Sequence, residues 1–244
     1  MTTMSFPSHA AAMAADSPGR GRGLGLLLIA DALLSFAPLA VLGAAIGWPA
    51  SLGRPAAEQL AAIHQHAGAV QLGYGLYLLY SLLVAPVMIG LAARAFGGLG
   101  KALPATVAAF AALSVLARAI GILRWLTVMP ALAAAHATAQ PAAQAQIEML
   151  FDALTRYGGG IGELLGVSLF MALSLGLLCA GAWRQRGLPR WLAGFGLLCA
   201  LALAALALPA FGGPALMPVA AAVTALTLWM LAAGLWCLRR GGGQ

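Results

Sequence analysis

The chain has 244 residues, 62% of them hydrophobic and only 8% charged, with a net charge of +7. Soluble domains carry roughly 25% charged residues, so this composition excludes a soluble domain and specifies an integral membrane protein whose first partner is the lipid bilayer. The positive excess lies in arginines that flank apolar runs, a reason for holding helix ends at an interface that calls for no nucleic acid.

Residues 1–19 are rich in Ser, Ala and Pro and lack an apolar core, which predicts a disordered tail and no cleavable signal peptide. A hydrocarbon core about 30 Å thick needs ~20 residues of helix. Six runs qualify, at about 23–47, 70–93, 104–131, 158–182, 189–210 and 215–238. Strands are excluded by the unpaired backbone that an open six-stranded sheet would leave in lipid. The expected fold is therefore all-α, a single six-transmembrane-helix bundle over residues 20–240.

The first run carries Asp31, about 12 Å from its start at 1.5 Å per residue, with Ser35 one turn on. No basic residue matches the depth of Asp31; Tyr80, about 15 Å down the second run, is the nearest hydrogen-bond donor. The segment EQLAAIHQHAG that follows offers Glu58, His64 and His66, but histidines two apart do not share a helical face, so no metal site is indicated. The second run contains Gln71, Tyr74, Tyr77 and Tyr80 at intervals of three. Tyr74 suits an interfacial aromatic belt, whereas Tyr77 and Tyr80 lie deeper and suit a polar cavity wall.

In the third run, LARAIGILRW places Arg118 about 21 Å and Arg124 about 30 Å from the start near Pro104. Arg124 can snorkel to the head groups beside Trp125, but Arg118 lies too deep for this and requires a partner. Between the third and fourth runs, Ile147, Leu150, Phe151 and Leu154 recur at helical spacing. They predict an amphipathic helix over about 142–157, lying along the outer surface. The fourth run begins RYGGGIGELLG, where Glu163 lies about 8 Å deep, close to the level of Arg118. Gly158, Gly162 and Gly166 form a small-residue face on which another helix can approach closely. The expectation is an Arg118–Glu163 ion pair, with Arg124 as a second donor. Cys179, Cys199 and Cys237 fall within apolar runs without disulfide or zinc spacing.

Of the thirteen Lys and Arg residues, Arg20, Arg22, Arg94, Lys101, Arg184, Arg186, Arg190, Arg239 and Arg240 fall on one side of this six-span scheme and only Arg54 and Arg156 on the other. The bias puts both termini in the cytoplasm. The two halves share no similarity that would mark an inverted repeat.

The stretch IGELLGVSLFMALSLGLLCAGAWRQRGLPRWLAGFGLL (161–198), a Gly-rich helix followed by a basic turn and a Leu-Pro-Arg helix start, and the C-terminal LWMLAAGLWCLRR (228–240) resemble a bacterial family of small six-span membrane proteins described only as a domain of unknown function. The resemblance implies architecture and a place in the bacterial inner membrane, and it brings no reaction, ligand or cofactor. Catalytic motifs such as HExxH, GxSxG and a phosphate loop are missing, and no span has a histidine deep enough to ligate a haem. Two functional readings follow, ahead of a third, an intramembrane enzyme, which the missing motifs disfavour. In one, Arg118, Glu163, Arg124, Tyr77 and Asp31 belong to a site that binds or transports a small anionic molecule in the outer half of the bundle. In the other, the charges only lock helices together in an accessory subunit.

Overall fold

The computed structural model describes residues 18–241. Most of the tail expected to be disordered lies outside them; Pro18 and Gly19 already open the first helix. Among the described residues the fold is all-α, without a strand.

The first crossing is a broken rod, α1 (Pro18–Leu34) and α2 (Phe36–Ile46). Pro38 has no N–H to offer the carbonyl of Leu34 and its ring crowds that carbonyl, so the helix breaks at Ser35. Gly47, at φ +70°, ends α2 in the left-handed conformation and donates to the carbonyl of Gly43. A 3₁₀ turn (Ala50–Gly53) leads into the short α3 (Ala56–Gln65), and α4 (Ala67–Phe96) forms the second crossing.

The third crossing is α5 (Ala102–Leu126), continued by α6 (Val128–Thr138). The break at Thr127 repeats the logic of Ser35: Pro130 stands three residues on and denies a bond to the carbonyl of Leu126. The chain returns through α7 (Pro141–Gly159), a π-helical segment (Gly160–Phe170) and α8 (Met171–Gln185). The amphipathic stretch is thus helical, but it runs without a break into the following crossing instead of lying flat. Finally, α9 (Arg190–Ala205) and a 3₁₀ turn (Leu208–Phe211) precede α10 (Val219–Gly241).

Among the described residues, five helical rods are long and apolar enough to cross a membrane, while α9 is an apolar helix of 16 residues, shorter than the run expected there. The rods Ala102–Thr138 and Pro141–Gln185 have 37 and 45 residues. At 1.5 Å per residue they measure about 55 and 67 Å, well beyond a hydrocarbon core of about 30 Å. Their surplus, α6 and α7, packs with α3 into a three-helix cap at one end of the bundle.

Two apolar clusters result. The larger runs through the bundle around Met88, Leu91, Met171, Leu175 and Trp229. The smaller, around Leu60, Ile63, Met129 and Phe151, joins the cap to the ends of α2, α4 and α5, and Tyr77 packs against both. Hydroxyls bridge the rods where burial leaves them no water: Ser114 Oγ donates to the carbonyl of Gly166 at 2.7 Å, Ser168 Oγ to Leu203 at 2.6 Å and Ser174 Oγ to Val107 at 2.9 Å. At the arginine-rich end, α1 and α10 cross in close contact, where a Cβ on Gly25 would lie 2.9 Å from the carbonyl oxygen of Gly234.

Candidate functional site

The glycines of the fourth crossing set the site. Each of the three meets α5: Gly158 leaves room for the Arg124 side chain, Gly162 abuts Gly121, and Gly166 abuts Arg118 and Ser114. A Cβ on Gly121 would lie 2.8 Å from the Cα of Gly162, so the two backbones touch directly.

This contact overturns the expected ion pair. Arg118 and Glu163 form none; Arg118, 2% exposed, donates from Nη1 to Tyr80 Oη at 3.3 Å, and its Nε has no hydrogen-bond partner. The reason is register. Gly162 and Gly166 present backbone to α5, so Glu163, one residue past Gly162, projects off that face. Its carboxylate lies instead in Coulombic range of Arg124 and makes no hydrogen bond. Arg124 stacks its guanidinium over Trp125, 5.4 Å from the ring centroid, and its buried Nε and Nη1 have no partners.

Asp31 is fully buried, and neither carboxylate oxygen has a hydrogen-bond partner. Tyr80, the donor expected for it, makes no hydrogen bond to it and accepts one from Arg118. Arg118 nevertheless lies in Coulombic range of Asp31.

Aromatic rings line the other wall. Trp125 stacks on Tyr74 at 4.8 Å between centroids, Tyr77 follows at 6.5 Å and Tyr80 at 5.7 Å, and Trp48 meets Tyr77 edge-on at 6.0 Å. Tyr74, assigned from sequence to an interfacial belt, is 2% exposed, with a hydroxyl that has no partner.

Three adjoining cavities meet here. The innermost, about 50 Å³, is lined by Arg118, Arg124, Glu163 and Tyr77, four of the five residues singled out from sequence. Asp31 does not line it. A second cavity of about 480 Å³ extends toward the cap past Arg124, Thr155 and Arg156. A third, about 290 Å³, lies between α2 and α10 and reaches Tyr77, Tyr80 and Glu163. Leu52, Glu163 and Val167 belong to the walls of all three. Arg156, Trp48 and Leu52 escaped the sequence reading because they belong to connections.

The charged lining can hold and orient an anion through unpaired guanidinium N–H groups. No curated protein and no solved structure matches the chain. A family model described as a domain of unknown function, DUF4386, matches residues 24–241, nearly the whole of the membrane-embedded part, and the chain belongs to that family.

Proposed function

We propose that the chain is a six-span protein of the bacterial inner membrane, both termini cytoplasmic, that binds or transports a small anionic molecule in the outer half of its bundle. Arg124 and Arg118 are the anion-binding groups, Glu163 holds Arg124 in place, and Tyr77 is the polar wall. The observation that carries this reading is the pair of guanidiniums with unpartnered N–H groups beside a cavity. Unpaired cations removed from water are costly, and an anionic ligand supplies the missing counter-charge.

The probe is butyrate, added to the protein in phosphatidylcholine nanodiscs. Saturable thermal stabilisation is expected, because a ligand that binds only the folded state raises its stability. Arg124→Gln abolishes it. Stabilisation that is absent, or unchanged in Arg124→Gln, refutes the reading.

A second reading, an accessory subunit with structural charges, draws on the Arg118–Tyr80 hydrogen bond that ties α4 to α5. It predicts that Arg118→Gln and Tyr80→Phe lower stability while butyrate has no effect.

A further inference from the structure

The cavity between α2 and α10 has a shape that a small aqueous anion does not need. The first and last rods cross tightly at Gly25 and Gly234, and α10 has no extensive packing along α2. The rods therefore diverge toward the cap and leave a wedge. Its mouth is formed by side chains on the lipid-facing surface: Phe36 is 48% exposed, Leu39 44% and Val219 48%. Its deep end is Glu163, Tyr77 and Tyr80. It shares Leu52, Glu163, Val167 and Val219 with the cavity that holds Arg124 and Arg156. An apolar channel open to the membrane thus leads to a polar chamber.

Resting on the anion-binding reading above, we infer that the ligand is a single-chain amphiphile with a monoanionic head, which enters sideways from the bilayer through the gap between α2 and α10. Three guanidiniums, Arg118, Arg124 and Arg156, and two carboxylates, Glu163 and the Asp31 that lies in Coulombic range of Arg118, leave one positive charge, which matches one negative head group. At about 290 Å³ the channel lies at the small end of ligand pockets, which run from roughly 300 to 1,000 Å³. That suits one chain. A tail gains little by leaving lipid for an equally apolar wall. The channel therefore supplies access, and the arginines supply the attraction: the head can move below the interface while its tail remains in hydrocarbon.

The test uses the full chain in phosphatidylcholine nanodiscs with dodecanoate carrying a diazirine near its methyl end. Label is expected in segments 36–39 and 219–224, displaced by excess dodecanoate and retained in the presence of dodecylamine. Leu39→Phe and Val223→Phe, on opposite walls, abolish the channel label while butyrate still stabilises both variants, which shows that they are folded. Arg124→Gln abolishes both signals. If butyrate stabilises the protein but label spreads over lipid-facing sites such as Leu198 and Leu201, the sideways amphiphile is refuted and the anion site stands. Displacement by dodecylamine overturns the monoanionic head. Channel label that survives in Arg124→Gln, with no butyrate effect, overturns both readings.

Discussion

Buried guanidinium groups govern the chemistry of single residues here. Arg118 has one neutral acceptor, Tyr80 Oη, and Tyr80→Phe removes it. The expected loss is about 1–3 kcal/mol, the cost of leaving a buried polar group unsatisfied, read as lowered resistance to unfolding in nanodiscs. Ser114→Ala, which deletes a bond to a backbone carbonyl, should cost less, about 0.6 kcal/mol, near the average for hydrogen bonds between membrane helices. Gly121→Leu and Gly162→Leu force apart touching backbones and should lose about 1–3 kcal/mol or fail to accumulate. Gly160→Ala, where an added Cβ meets nothing within 4 Å, is the neutral control. The convergence of Arg118, Arg124, Glu163 and Tyr77 was legible in the sequence because depth along a straight helix is residue count times rise. The partner of Arg118 was not, because that arithmetic gives level and says nothing of azimuth, and the π-helical register over Gly160–Phe170 changes azimuth without leaving a mark in composition.

Among the elements, the proline breaks repay attention. Ser35 and Thr127 each precede a proline by three residues, and at each one helix ends and the next begins. A hydropathy run passes through both without interruption, so the runs 23–47 and 104–131 predicted existence and type but not the breaks. The stretch from Ile147 to Leu154 was legible as an amphipathic helix. Its direction was not, since its apolar face fits a membrane surface and the neighbouring α3 and α6 equally well. The shortness of α9 bears on the fifth of the six proposed crossings. Its 16 residues rise about 24 Å, less than a hydrocarbon core of about 30 Å, so a full crossing there needs the 3₁₀ turn after it as well. Cysteines placed at the exposed Gln185 and Ala215 should react with impermeant maleimide from opposite sides of the membrane. Reaction from one side would make α9 a re-entrant helix and reduce the count to five.

For the whole molecule, orientation rests on arginine placement alone. Reporter fusions after Arg54 and Arg186 should report periplasm and cytoplasm respectively, and equal signals would refute both the span count and the outward position of the cap. If the cap faces the periplasm, the turn at Ala139–Gln140, half-buried at Ala139 and exposed at Gln140, is the site where added protease should cut intact spheroplasts, giving two fragments that co-purify. The two apolar clusters also answer to different solvents. Water stabilises the cap by rejecting its apolar side chains, whereas in lipid the bundle is held by close packing and shielded hydrogen bonds. Urea acts from the aqueous phase, so titrating nanodisc-embedded protein should melt the Phe151 cluster first and leave the crossings standing. The molecule would then show two thresholds, and the tyrosine that touches both clusters, Tyr77, would report the lower one.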